Sequence, residues 1–268
     1  MKGSEKAYAK LNIGLRVGAK RADGFHDLDT YFHLISLHDV INFTLKRSSS
    51  LSIVIKGNEK YLKQGETDLM EKAAVMYSKV TGIIFELEIN IEKNIPSPAG
   101  LGGGSSDAAA VLSLLENCFK SGINLFPLAL SLGSDVPFFV SGMKAAHGRG
   151  RGEILSPVTP ARGMGFLLPS RAGKLSTGAA FAALDARTDA APLLPAWSTD
   201  SRVWLKFFGN DFLAVQGESP EKRLAKEGKV LLSGSGSCYF ITFGSEEERR
   251  EAEKITSASV RIPFSFLF

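Results

Sequence analysis

The alternation of apolar and polar side chains divides the chain into elements. Residues 8–17 alternate roughly and predict a strand. A turn cluster follows at 21–24 (RADG). Strands are expected at 30–37 and 40–46, and another at 51–56 after the serines at 48–50. Between 67 and about 80, Ala73, Ala74, Met76 and Tyr77 suit the buried face of a helix. Residues 83–92 alternate strictly, with Phe85, Leu87, Ile89 and Ile91 on one face and Glu86, Glu88 and Asn90 on the other, which predicts a half-buried strand. A Gly/Ser-rich segment at 100–106 runs into a helix at 108–119. Past residue 158, strand-like pieces at 165–169 and 230–243 bracket a helix at 177–186. The stretch 187–200 reads as a loop, 245–255 as a helix, and 260–268 as an apolar end. The pattern predicts an α+β chain without internal repeats, in two domains, 1–157 and 158–268.

Composition narrows the class. Hydrophobic residues at 44% and charged residues at 22% match soluble globular domains and exclude a disordered chain. A chain of 268 residues buries a sizeable core without staples. Its two cysteines, Cys118 and Cys238, form no C-x-x-C pair and read as reduced thiols. The polar N-terminus has no signal-peptide core, and no apolar run approaches the ~18 residues of a membrane span. A soluble, cytoplasmic protein with no membrane partner is expected. The net charge of +4 is small and no dense Lys/Arg tract occurs, so no nucleic-acid partner is expected either; a site for small polyanions suits the balance as well.

Candidate chemistry concentrates at 96–107 (PSPAGLGGGSSD). Four of the five residues from Gly100 to Gly104 are glycine, and a helix follows at once. Glycine lets backbone N–H groups converge and lets a ligand approach without a Cβ in the way. The helix start adds unpaired N–H groups and partial positive charge. Together they suit a nucleotide's phosphates. Ser105 and Ser106 add hydroxyls for a phosphate oxygen or a Mg²⁺ shell, and Asp107 stands where a helix cap is expected. The bland alternative, a capped helix after a flexible loop, would need only one or two of these glycines. The closing Gly-Lys-Ser/Thr of a Walker A loop is absent, and Ser105 replaces the last glycine of a dinucleotide fingerprint.

The segment resembles the second motif of the GHMP kinases. Residues 9–15 (AKLNIGL) resemble their first motif and 231–240 (LLSGSGSCYF) their third, in matching order over nearly the whole chain. Two strings, 21–26 (RADGFH) and 132–139 (LGSDVPFF), resemble the branch of that family whose acceptor is diphosphocytidyl methylerythritol. The resemblance implies a ribosomal-S5-like N-terminal ATP-binding domain and a ferredoxin-like C-terminal domain. It implies transfer of a phosphoryl group from ATP, with Mg²⁺, to the 2-hydroxyl of that alcohol in the non-mevalonate isoprenoid route.

It also implies roles. Asp135 accepts the hydroxyl proton or aligns the hydroxyl, and Lys10 keeps that acid ionised and offsets charge on the moving group, as a nearby ammonium does. Pro98, Ala99, Gly100, Leu101, Gly102, Gly103, Gly104, Ser105 and Ser106 cradle the phosphates. Asn12, on the same strand face as Lys10, contacts substrate. Phe25 and Phe181 stack on the cytosine while His26 hydrogen-bonds its edge. Phe25 stands where tyrosine is commoner, which keeps the π-face needed for stacking. Asp68 stands where the family often has an asparagine near the adenine, and no acid matches its magnesium-binding position, so no protein metal ligand is assigned.

Read without the resemblance, Lys10 is a snorkelling strand lysine, Asp135 a turn residue and Phe181 a core phenylalanine. Lys93, before the loop, reads equally as a phosphate contact or a solvated side chain. The four histidines show no metal-ligand spacing. Residues 147–152 (HGRGRG) suit a tight turn better than an RNA-binding tract, and 246–253 a solvated helix face. The rival functions are a GHMP kinase with a non-nucleotide acceptor, against which 21–26 speaks, and a non-catalytic nucleotide- or RNA-binding protein, against which Lys10 with Asp135 speaks.

Overall fold

The computed structural model describes residues 1–61, 67–170, 176–185, 193–256 and 261–268. In chain order the elements are β1 (Lys2–Lys20), β2 (His26–Arg47), β3 (Ser52–Lys56), α1 (Leu69–Thr81), β4 (Phe85–Glu92), α2 (Gly103–Phe119), α3 (Phe126–Leu132) and α4 (Val136–Val140). They continue with β5 (Ala145–Gly150), β6 (Ile154–Pro157), β7 (Met164–Pro169), α5 (Thr177–Ala182), α6 (Ser201–Phe207), α7 (Pro220–Lys226), β8 (Leu231–Leu232), β9 (Cys238–Phe243), α8 (Glu246–Ile255) and β10 (Ile262–Ser265). The mixed α+β composition agrees with the sequence pattern.

Two compact units result. The first comprises Met1–Ala9, Leu37–Ile95 and Gly102–Met143. Here β4 pairs antiparallel with β2 from Val40 to Arg47 and parallel with β3. The alternation of β4 is realised: Phe85, Leu87, Ile89 and Ile91 are buried and the residues between them face outward. They pack with Ala73, Ala74 and Tyr77 of α1 and Val111, Leu112 and Leu115 of α2. Asp68 caps α1, its carboxylate accepting from Met70 N at 2.5 Å, and Gly82 ends it with φ of 71°. The carboxylate also accepts from Asn58 Nδ2.

The second unit comprises Lys10–Ser36, Pro96–Leu101 and Lys144–Phe268. The hairpin β5–β6 pairs with β2 between Leu28 and His33. A separate antiparallel sheet runs β10-β7-β9-β8. Its apolar residues Phe166, Leu168, Tyr239 and Ile241 pack with Ala180 of α5 and Ala252 of α8. The Glu/Arg face of α8 is solvated and joined by ion pairs of Arg249 with Glu246 and Glu253.

Several elements depart from the pattern. The two strands expected at 30–46 are one, because Leu37–Asp39 stays extended; Asp39 holds the amides of Asn94 and Ile95 at 2.6 and 2.8 Å. The helix expected from 108 begins at Gly103, so Asp107 lies inside it and caps nothing; the N-cap is Gly102. In the stretch 147–152 the first four residues belong to β5, and the tight turn lies at 151–153. The strand expected at 230–243 is two, interrupted at Ser233–Ser237. α6 and α7 had no counterpart in the apolar pattern. The helix expected at 177–186 ends at Ala182, and residues 183–185 form a turn; residue 186, the loop from 187 to 192, and Val260 lie outside the described residues. Among the described residues no helix is long and apolar enough to cross a membrane.

Candidate active site

Strand β1 places Lys10 and Asn12 two residues apart on one face, both buried. The Lys10 ammonium donates to Asn12 Oδ1 and, at 3.3 Å, to the Gly100 carbonyl. Asn12 Nδ2 donates to Thr30 Oγ1 at 2.9 Å, and Thr30 donates onward to the Gly14 carbonyl at 2.7 Å. The amide oxygen of Asn12 is thereby turned toward the lysine, which fixes the ammonium without a flexible partner.

The first half of the glycine segment is anchored in the same unit. Lys10 N donates to Leu101 O at 3.0 Å, and Cys238 N to Ala99 O at 3.2 Å. Gly100 has φ of 72°, and a Cβ there would lie 2.3 Å from the Ser233 carbonyl oxygen. Only glycine permits both the backbone angle and the approach. Ser233, from the β8–β9 loop, donates to Gly100 O at 3.1 Å and accepts from Asn12 N at 3.1 Å. Asn210 and Gln216 hold that loop by donating to the carbonyls of Gly234 and Ser235, at 2.9 and 2.8 Å. Three separated motifs thus meet through Lys10, Asn12, Gly100 and Ser233.

The second half of the segment starts α2 in the other unit. Gly102 is in the left-handed conformation with no side chain to cap the helix, and no acidic residue occupies the first turn. The opening N–H groups are therefore left to an anion or water. Ser106 is buried and donates to the Tyr8 carbonyl at 2.7 Å, so its hydroxyl serves the fold; Ser105 is half-buried. One turn further, Asp107 and Asp39 flank the Lys93 ammonium, with Lys93 Nζ 2.5 Å from Asp107 Oδ2. All three side chains are buried, so Lys93 is not solvated; its Nζ lies 3.7 Å from where a Cβ on Gly103 would stand. Burial, with the Asp39 carboxylate beside it, pushes the Asp107 carboxyl up against the pull of Lys93. Asp135 precedes α4, whose Val136 and Phe138 are buried in this unit.

The aromatic candidates gather in the second unit. The Phe25 ring is 44% exposed and carries the Arg151 guanidinium 3.6 Å from its centroid. His26 is buried, 5.5 Å from the Phe181 ring and stacked on it at 29°. Its Nδ1 lies 2.8 Å from the Gly18 carbonyl and its Nε2 3.0 Å from Asp185 Oδ1.

Comparison with known proteins follows the same residues. Residues 68–143 match the GHMP kinases N terminal domain. The 4-diphosphocytidyl-2-C-methyl-D-erythritol kinase of Salinispora tropica is 34% identical over 279 aligned positions, covering 94% of this chain and 87% of that one. The chain belongs to the 4-diphosphocytidyl-2-C-methyl-D-erythritol kinase family. A crystal structure of a 4-(cytidine 5'-diphospho)-2C-methyl-D-erythritol kinase superposes with a TM-score of 0.77 at 30% identity, covering 98% of this chain and 99% of that one. The mevalonate kinase of Methanococcus jannaschii shares the fold at a TM-score of 0.59 and 11% identity, over 99% of this chain and 98% of that one.

Within this kinase fold the structure adds residues that sequence reasoning missed. Ser233 was legible as part of a Gly/Ser loop, though its bond to Gly100 was not. Thr30 lies inside an apolar strand and gives no local signal. Asp39 and Asp185 act only through partners distant in sequence.

Proposed function

We propose that this chain transfers the γ-phosphoryl group of ATP to the 2-hydroxyl of 4-diphosphocytidyl-2-C-methyl-D-erythritol, in the non-mevalonate route to isoprenoid precursors. Phosphoryl transfer through a loose transition state asks the protein mainly to position and to neutralise. The segment Pro98–Ser106 cradles the phosphates, the N–H groups at the opening of α2 among its donors. Lys10, oriented by Asn12 and the Gly100 carbonyl, places a fixed cation at the transferred group. Asp135 aligns the acceptor hydroxyl and takes its proton. Asn12 contacts the acceptor, and Phe25, His26 and Phe181 bind its cytosine. The domain reading, 1–157 for ATP and 158–268 as the C-terminal domain, belongs to the same proposal. It includes no nucleic-acid or membrane partner.

Mg²⁺ enters as the counter-ion of the nucleotide. Among the described residues no three His, Cys, Asp or Glu side chains converge to form a cage. Mg²⁺ commonly rides on substrate phosphates with few protein ligands, and no protein ligand is assigned.

The observation that carries the reading is the junction of three motifs at Lys10, Asn12, Gly100 and Ser233. ADP release with a panel of acceptors tests it. Turnover is expected with the diphosphocytidyl alcohol and not with mevalonate or homoserine; turnover with either of those instead would replace it by another GHMP kinase activity.

A further inference from the structure

The Lys10 ammonium stands at one end of a chain of hydrogen bonds whose direction is fixed at both ends. An ammonium can only donate, and this one donates to Asn12 Oδ1. Asn12 Nδ2 donates to Thr30 Oγ1 at 2.9 Å, and the Thr30 hydroxyl donates to the Gly14 carbonyl at 2.7 Å. A carbonyl oxygen can only accept, so the hydroxyl proton points at Gly14 and the Thr30 oxygen is left to accept. One orientation of the Asn12 amide then satisfies both neighbours: nitrogen toward Thr30, oxygen toward Lys10. The reversed amide would set its N–H donors against the ammonium. Lys10, Asn12 and Thr30 are all buried, so a polar atom that loses its partner here stays costly. Thr30 itself is followed on β2 by buried Tyr31, Phe32, Leu34 and Ile35. Such a strand asks for a β-branched shape, which valine would supply. The hydroxyl is what threonine adds.

We infer that Thr30 is a positioning residue for the phosphoryl transfer: its hydroxyl, anchored on the Gly14 carbonyl, holds the Asn12 amide so that the amide oxygen keeps the Lys10 ammonium in place. The inference rests on the role of Lys10 in the reading given above. Without the hydroxyl, Asn12 Nδ2 becomes a buried donor with its acceptor gone, and the amide is free to turn. Its oxygen then no longer fixes the ammonium, and a cation displaced by a fraction of its bond length stabilises the moving charge less well. Thr30 acts through Asn12 and Lys10, so its loss shows in the transfer step and not in nucleotide binding.

The test is steady-state ADP release from ATP and 4-diphosphocytidyl-2-C-methyl-D-erythritol by the full chain and by Thr30→Val, Thr30→Ser and Lys10→Met, with the unfolding midpoint measured alongside. Thr30→Val keeps the shape and removes the hydroxyl. It should lower kcat by about tenfold or more, the scale of a buried hydrogen bond lost with its partner stranded, while KM for ATP stays unchanged. Thr30→Ser keeps the hydroxyl and should retain most of kcat. An unreduced kcat in Thr30→Val, an equal fall in Thr30→Ser, or a rise in the KM for ATP as large as the fall in kcat would overturn the role of Thr30 and leave that of Lys10 standing. An unreduced kcat in Lys10→Met would overturn the reading on which the inference rests. If Thr30→Val does not fold, Thr30→Cys, whose thiol is a weak donor and acceptor, carries the same comparison against Thr30→Ser with the same outcomes.

Discussion

Replacing Gly100 by alanine tests the junction of the glycine loops. Gly100 has φ of 72°, and an added Cβ would sit 2.3 Å from the Ser233 carbonyl oxygen and 3.2 Å from Gly236 N and O. All three are backbone atoms, so no side chain can swing aside. The left-handed conformation alone costs an L residue ~1–2 kcal/mol. Relieving the overlap by moving the 233–236 loop adds ~1–3 kcal/mol, the usual cost of overpacking. The total, roughly 2–5 kcal/mol, is a large part of the ~5–15 kcal/mol that holds a protein folded. At roughly 2–4 °C per kcal/mol, the unfolding midpoint should fall by roughly 4–20 °C. Gly228→Ala separates the two contributions. It lies in the same unit with φ of 71°, but its nearest contact is the Leu205 carbonyl at an ordinary 3.6 Å. Thermal unfolding of both variants, with KM for ATP, is the assay. Gly100→Ala should unfold at lower temperature than Gly228→Ala and raise KM. A midpoint no lower than that of Gly228→Ala would refute the close approach on which the site's assembly depends.

Asp135→Asn should lower kcat by ~10²–10⁴-fold with ATP affinity nearly unchanged, read by steady-state kinetics and calorimetry; retention of more than about a tenth of the activity would exclude an essential base. Lys93→Met leaves Asp107 buried without its cation and should cost ~3–5 kcal/mol in denaturant unfolding, less as pH falls and Asp107 takes up a proton; an unchanged midpoint would sink the brace. Burial lowers the pKa of His33 from 6.5 to about 4, and its Nε2 accepts from Ala161 N at 2.9 Å. The unfolded chain therefore binds the extra proton first, and stability should fall by about 3 kcal/mol as pH drops from about 6.5 to about 4. His33→Gln should flatten that part of the stability–pH curve. Gly103→Val should weaken ATP binding at the loop, and it also presses on Ile95, whose side chain would lie 3.2 Å from the new Cβ. Its weaker ATP binding should therefore come with a lowered unfolding midpoint.

Legibility in the sequence followed the range of the interactions. Strand β4 could be read outright because period-two burial is local. The glycine loop could be read because four glycines fall within five residues. The start of α7 also had a local signal, Ser219 before Pro220, a cap and a first-turn proline that the apolar pattern does not weigh. The continuity of β2 could not be read: His38 and Asp39 look like a break until Asp39 is seen holding two amides more than fifty residues away. Lys93 could be read as a phosphate contact or a solvated side chain but not as an ion-pair partner, because both its acids come from other elements. Asp185 is one acid in an alanine-rich stretch, and its partner His26 is 159 residues distant. Asn12, Gly100 and His26 lie in motifs; their partners Thr30, Ser233 and Asp185 come from elsewhere in the chain, and Thr30 and Asp185 carry no local signal.

The most direct measurement of the central claim is the ³¹P spectrum of the product made from ATP and 4-diphosphocytidyl-2-C-methyl-D-erythritol. The 2-carbon bears a methyl group and no hydrogen, so a phosphate on its oxygen has no three-bond proton neighbour. The account predicts a monoester resonance that appears in step with ADP and stays a singlet without proton decoupling. A monoester split by neighbouring protons, placing the phosphate on another hydroxyl, or ADP formation with no monoester at all, would contradict it.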